Sequence, residues 1–218
     1  MIINLKNLTT GIHWWKKNNW PEDFHNSIYA DIYNIRAGGI TEQWWSTTVD
    51  RLSQWRAYRG RKRPNTKAEI TARGLKYLIQ INVLYKKLLE RSAGEPNITC
   101  LTWEDVDTLF SLISEIKPGS PVFAGKMGHF LFPRVFIVMD TLATSVFDYE
   151  FYWRGMREEW HRFAQKEEAR NILVSSVTSG SALHPLYPME TKIMELSHIG
   201  YKCERRNMYF PPSEPPAS

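Results

Sequence analysis

The stretch that decides the fold is KPGSPVFAGKMGHFLFPRVFIVMD, residues 117–140. It opens with a Pro/Gly turn, continues with apolar residues at helical spacing, reverses at Pro133 and ends in an extended apolar piece before Asp140. Gly and Pro favour turns, and an aspartate after such a piece is a good N-cap. These signals predict a helix before the turn, a second helix over 122–132 that carries Lys126, and a third helix after Asp140.

Apolar residues recur mainly at helical spacing along the rest of the chain, and strictly alternating runs are scarce. This periodicity predicts an all-α fold. Thr102 with Asp105 resembles a capping box, and Gly94 with Pro96 ends the longest helix. The predicted helices cover 22–35, 41–58, 66–91, 103–116, 122–132, 141–149, 156–174 and 188–199.

A chain of 218 residues with 43% hydrophobic residues suffices for one core divided into two lobes around a cleft. We expect a single helical domain over 1–210 and a disordered Pro-rich tail over 211–218, because the tail has no apolar face. Cys100 and Cys203 fit neither a disulfide framework nor a metal site, and no run approaches the roughly 20 apolar residues of a membrane span. A soluble, cytoplasmic protein without a metal is therefore expected.

Positive charge is concentrated in one segment of a chain whose net charge is +5. Residues 56–63 hold five positive charges and no carboxylate. Such a run is typical either of a phosphate-binding surface or of a solvated loop between helices, and both interpretations stay open. The residues assigned to DNA binding on the first interpretation are Arg59, Arg61, Lys62 and Arg63.

Nine tryptophans raise the aromatic content to 13%. Aromatic rings stack on bases in some DNA-binding proteins, but most tryptophans belong to hydrophobic cores. Trp44, Trp45 and Trp55 are interpreted as helix-packing residues. Trp14 and Trp15, which precede two lysines on a predicted loop, are the better candidates for base contact.

The order of features in this chain resembles the helix-hairpin-helix DNA glycosylases, and especially the bacterial 8-oxoguanine-glycosylase-like proteins. The resemblance extends over about 104–201, with the hairpin and catalytic region over about 104–150. The matching features are Gly125-Lys126, His129-Phe130, Pro133, the apolar piece ending at Asp140, and the closing segment Tyr187-Pro188-Met189-Glu190-Thr191-Lys192.

The resemblance implies a helical fold with a basic cleft, in which Lys126 attacks the sugar C1′ and displaces a base. Asp140 would stabilise the developing positive charge and help to deprotonate the attacking group. Alternatively, Asp140 is a helix cap and Lys126 a surface lysine. His129 would orient a phosphate or the base, or pack in the core, and Phe130 would form a pocket wall.

The glycines near the hairpin are the expected phosphate anchors, because a missing side chain lets backbone N–H groups approach an anion. Gly119 and Gly125 are assigned to DNA binding on this ground. The expected partner is double-stranded DNA, bound by a monomer, and the target nucleotide must be flipped out of the duplex. No cofactor is expected.

The expected function is therefore removal of a base from DNA, with β-elimination at the abasic site by a lysine Schiff base as an optional second step. The base is either an oxidised purine, as in repair, or a phage-type modified cytosine, as in antiviral defence. The alternatives are a non-catalytic DNA-binding protein and a protein-interaction module that uses a tryptophan-rich face.

Overall fold

The computed structural model of the protein describes residues 1–17, 31, 34–58, 65–92, 94–139, 148–177 and 183–205. All regular secondary structure in these ranges is α-helical, as the periodicity predicts. The helices are α1 Leu5–Lys17, α2 Glu42–Gln54, α3 Lys67–Arg91, α4 Trp103–Ser114, α5 Pro121–Leu131, α6 Tyr149–Arg162, α7 Lys166–Val177 and α8 Met189–Arg205.

Side-chain caps begin the helices of the first half where the sequence predicts them. Thr41 accepts a hydrogen bond from the backbone N–H of Trp44 (3.2 Å) at the start of α2. Reciprocal capping boxes begin α3, at Thr66 and Glu69, and α4, at Thr102 and Asp105. Because each cap satisfies backbone donors that the first helical turn leaves unpaired, these sequence signals determine the helix starts.

The prediction of a loop around Trp14 and Trp15 was wrong. Both residues lie in α1, whose start is capped by the Asn4 side chain, which accepts from the Asn7 N–H (2.9 Å). Trp15 is buried in the core and Trp14 is half-buried. The apolar face of α1 therefore packs inside the protein, and Trp15 is not a surface for base stacking.

The prediction of a single helix over 156–174 was also wrong, because residues 163–165 separate two helices, α6 and α7. Phe163 ends α6 in an extended conformation (φ −73°, ψ 119°). Its buried ring packs against Trp160, with the ring centroids 6.0 Å apart. Burial of this ring accompanies a change of direction that helical periodicity does not reveal.

Three predicted segments fall wholly or largely outside the described residues. They are the helix over 22–35, of which only residues 31, 34 and 35 are described, the helix over 141–149, and the Pro-rich tail over 211–218.

Most tryptophans lie in the hydrophobic core. Those that are buried are Trp15, Trp44, Trp45, Trp55, Trp103, Trp153 and Trp160. The interpretation of Trp44, Trp45 and Trp55 as packing residues is confirmed, and these buried rings do not form an exposed partner-binding face.

The buried face of α3 does not include all of its apolar residues. Its buried residues include Ile70, Leu78 and Leu88, whereas Ile79 is 79% exposed and Val83 is 60% exposed. The exposed pair borders an apolar groove between α3 and α4.

Helices α1 and α8 approach each other at two glycines, Gly11 and Gly200. A Cβ atom at Gly200 would lie 1.9 Å from the Asn7 carbonyl oxygen and 2.8 Å from the Gly11 nitrogen. A Cβ atom at Gly11 would lie 1.9 Å from the Leu196 carbonyl oxygen. Because the obstructing atoms belong to the backbone, a side chain at either position would force the two helices apart.

Gly200→Ala is expected to lower the free energy of unfolding by at least about 3 kcal/mol, the upper part of the range for overpacking. This corresponds to a fall of roughly 10 °C in melting temperature for a chain of this size. The matched control is Gly155→Ala in α6, where a Cβ would have no neighbour within 4 Å. There, alanine should raise stability by up to about 1 kcal/mol. Equal melting temperatures for the two variants would contradict the close helix contact.

Candidate functional site

The helix, Pro/Gly turn and second helix that the sequence predicts are present as α4, the turn over 115–120 and α5, together called the hairpin below. Ser120 caps α5 by accepting from the Phe123 N–H (3.4 Å), and Pro121 occupies the first helical position. Gly119 lies in the turn with φ +72°, a left-handed conformation that favours glycine, and it is exposed. The turn therefore presents backbone to solvent, as a phosphate anchor requires.

Basic side chains from two elements meet at this turn. Arg73 of α3 donates to the Ile116 carbonyl (2.6 Å) and to the Asn65 side-chain oxygen (3.0 Å). Lys117 is half-buried, and its pKa is lowered first by burial and then by the charge of Arg73. Asn65 is thereby held next to the hairpin through Arg73.

Tyr58 also packs on the hairpin, from the other end of the basic segment. Its buried ring meets Phe123 in the first turn of α5, with centroids 6.4 Å apart, and its hydroxyl donates to the Val49 carbonyl (3.2 Å). Residues 59–64, which contain all four predicted phosphate-binding residues, lie outside the described part of the chain.

The described residues on either side of this segment, Tyr58 and Asn65, are both held at the hairpin.

Lys126, the predicted nucleophile, lies in the second turn of α5 with 5% of its surface exposed. Its Nζ donates to the Trp55 carbonyl (2.8 Å) and lies 5.2 Å from the centre of the Trp55 ring. The carbonyl and the ring face both favour a positive charge. This lysine is therefore buried in partly apolar surroundings rather than exposed on an amphipathic helix.

The Trp55 carbonyl belongs to a helix cap. After α2, the Arg56 N–H donates to the Ser53 carbonyl (3.0 Å) and the Ala57 N–H donates to the Leu52 carbonyl (2.9 Å). This is the Schellman pattern, in which the residue at Arg56 adopts the left-handed region. Arg56 has φ +53°, which costs a non-glycine residue roughly 1–2 kcal/mol.

His129 and Phe130, the predicted pocket residues, pack around the same tryptophan. The ring centroid of Trp55 lies 5.6 Å from that of His129 and 5.4 Å from that of Phe130. Burial lowers the pKa of His129 to about 3, so the ring is neutral near pH 7, and Nδ1 donates to the Phe136 carbonyl (2.7 Å). Both residues lie in the core beside Lys126. Because its ring is neutral, His129 cannot act as a general acid at neutral pH.

Gly125 and its neighbour Gly128 allow aromatic rings to pack directly on α5. A Cβ at Gly125 would lie 2.7 Å from the Tyr149 ring, and one at Gly128 would lie 2.8 Å from the Phe136 ring. Gly125 is thus placed beneath a side chain of α6, on a buried face of the helix, and not at the exposed turn beside Gly119.

Asp140 itself lies outside the described residues, but the chain is described up to Met139. Two tyrosines of α6 hydrogen-bond to the backbone of the segment that precedes Asp140. The Tyr149 hydroxyl donates to the Ile137 carbonyl (2.7 Å), and the Tyr152 hydroxyl donates to the Val138 carbonyl (3.4 Å).

Lys192 of α8 is a second buried lysine, and the sequence did not predict its burial or its ion pair. It is 2% exposed, its Nζ donates to Glu195 (2.9 Å), and it lies 5.1 Å from the centre of the Trp15 ring. The positive charge of Lys192 contributes to the low pKa of His129. The signal available in the sequence was the recurrence of Lys192, Glu195 and His198 every three residues.

The negative charge of Glu195 reaches the tyrosines that surround it. Burial first, and the Glu195 charge in addition, raise the pKa of Tyr149, Tyr152 and Tyr187 well above the usual value of a tyrosine. These tyrosines are neutral at physiological pH. In the described ranges, no group of three His, Cys, Asp or Glu side chains is arranged to hold a metal ion.

The resemblance to the DNA glycosylases rests on the residues named above and not on a match to a known protein. No family model, no curated protein and no solved structure matches the chain. Among the helices described, none combines the length and the apolar character needed to cross a membrane.

Proposed function

We propose that the protein is a DNA N-glycosylase that binds duplex DNA at the hairpin and removes a damaged or modified base with Lys126 as the attacking amine. The observation that carries the proposal is that both ends of the basic segment are anchored at the hairpin from which the Lys126 helix begins. Tyr58 packs on Phe123, and Asn65 is held through Arg73.

This arrangement supports DNA binding because it groups positive charge around an exposed backbone turn. Lys117 and Arg73 lie at the turn, and Tyr58 and Asn65, which flank the four basic residues in sequence, are anchored beside it. Phosphate contacts from side chains and from backbone N–H groups fix the register of a protein on a duplex without reading its sequence.

The proposed reaction assigns different roles to Lys126 and Asp140. A lysine must lose a proton to attack, and the Trp55 carbonyl that Lys126 contacts cannot accept one. Asp140 takes this proton. The amine then forms a bond to C1′ while the bond between C1′ and the base breaks, and the base leaves with the electron pair and takes the proton that Asp140 accepted.

Lys126 must exchange its partner for this step. Its Nζ leaves the Trp55 carbonyl and reaches the flipped nucleotide, while Phe130 and neutral His129 line the apolar side of the space that opens.

The substrate class is tested by counting abasic sites after incubation with three DNAs. These are a duplex with 8-oxoguanine, the same duplex unmodified, and phage DNA with glucosylated hydroxymethylcytosine. Abasic sites in the oxidised duplex alone support repair, and abasic sites in phage DNA alone support defence. The absence of abasic sites from all three would contradict glycosylase activity on these substrate classes.

A second candidate is DNA binding without catalysis, which the hydrogen bond from Lys126 to Trp55 favours. In that case Lys126 fixes the end of α2 and thereby the start of the basic segment. Lys126→Met would then weaken DNA binding, and no base would be released from any DNA.

Neutralising the four basic residues of the segment is expected to weaken binding to all DNA sequences alike. The slope of log K against log salt should flatten by about 0.9 for each phosphate that the variant no longer neutralises. The measurement is fluorescence anisotropy with one duplex over a series of salt concentrations. The residues changed to Gln are Arg59, Arg61, Lys62 and Arg63.

The control removes the same charge from exposed positions on other helices and should leave the slope much closer to that of the wild type. The residues changed to Gln in the control are Lys76, Lys86, Lys87 and Arg162. Equal slopes for the wild type and the segment variant would show that residues 59–63 do not bind phosphate and favour the interpretation as a solvated loop.

A further inference from the structure

Arg56 combines a backbone conformation that is unfavourable for its residue type with an exposed side chain. Its backbone is left-handed at φ +53°, at the helix-end position where glycine is preferred. Its side chain is exposed. Its guanidinium has no hydrogen-bond or ion-pair partner among the residues that the structure describes.

The peptide between Trp55 and Arg56 is held on both sides. Its carbonyl accepts from Lys126, and its N–H donates to the Ser53 carbonyl. The direction in which the Arg56 side chain leaves the backbone is therefore set by α5 as well as by α2. A strained residue that its surroundings hold in place is characteristic of binding sites.

We infer that Arg56 is a preorganised contact to a DNA phosphate, retained despite its backbone strain, with Lys126 as its positioning residue. This inference rests on the proposed DNA binding and adds a residue and a physical reason to it. The guanidinium supplies planar, charge-assisted donors for phosphate oxygens. Because the peptide is already fixed, less conformational entropy is lost when the contact forms.

The test compares melting temperature and DNA affinity in three variants of the full chain. Arg56→Gly and Arg56→Asn tolerate the left-handed backbone and remove the charge, whereas Arg56→Lys keeps both the charge and the strain. The probe is an unmodified duplex, titrated by fluorescence anisotropy at several salt concentrations. Arg162→Gln is the control for loss of one exposed charge, on α6.

We expect Arg56→Gly to melt about 2–4 °C higher than the wild type and to bind the duplex several-fold more weakly, with a salt slope lower by about 0.9. Arg56→Asn should change in the same directions, and Arg56→Lys should keep the wild-type slope. Unchanged affinity in Arg56→Gly, or a lower melting temperature, would overturn the inference while leaving the proposed function intact. Failure of the wild type itself to bind DNA would overturn both.

Discussion

Lys126→Gln is expected to reduce base release at least about a thousandfold, because the variant has no amine to attack C1′. Glutamine is the replacement of choice because its amide N–H can donate to the Trp55 carbonyl, which accepts from the lysine in the wild type. The fold should persist, since the substituted side chain keeps a polar donor at the position of the buried amine. Single-turnover release of the base, measured beside circular dichroism, separates chemistry from folding.

The control for Lys126→Gln is Lys117→Gln, which removes a half-buried lysine at the turn. That variant should lose DNA affinity but keep the single-turnover rate at saturating protein. A Lys126→Gln variant that releases base at a near-normal rate would remove this lysine from the reaction and make water the attacking group.

Asp140→Asn is expected to slow base release at least about a hundredfold, on the scale of removing one electrostatic stabiliser. The amide keeps a capping oxygen but can neither accept the lysine proton nor balance positive charge on the sugar. The melting temperature should change little. The measurement is the single-turnover rate with saturating DNA.

A matched control is available at Asp148, whose side chain caps α6 by accepting from the Phe151 N–H (3.1 Å). Asp148→Asn keeps that hydrogen bond and should affect neither rate nor stability strongly. If Asp140→Asn lost melting temperature and activity in proportion, or behaved like Asp148→Asn, the carboxylate would be a helix cap alone.

Local signals predicted much of the fold. Thr66 and Thr102 determine the starts of α3 and α4, because their capping partners lie only three residues away. The turn at Gly119 was predictable because Gly and Pro favour turns. The break at Phe163 and the burial of α1 were not, because they depend on core packing and on the contact between Gly11 and Gly200, which are far apart in sequence.

The candidate site was predictable only in part. Motif order picked out Lys126, but its contact with Trp55, 71 residues earlier, depends on how α2 and α5 meet. The buried ion pair of Lys192 with Glu195 lies within one helix, yet its place beside Trp15 of α1 follows from tertiary structure. Spacing therefore identifies candidate residues, whereas their protonation and partners follow from the packed core.

The most direct test of the central claim is to locate the amine that bonds to an abasic site. The protein is incubated with a duplex that carries one abasic site, in the presence of cyanoborohydride. The aldehyde at C1′ condenses with an amine and loses water, and hydride reduces the Schiff base to a stable link that peptide mass mapping assigns to one lysine. The link is expected at Lys126. A link at Lys192, or no link at all, would contradict the central claim.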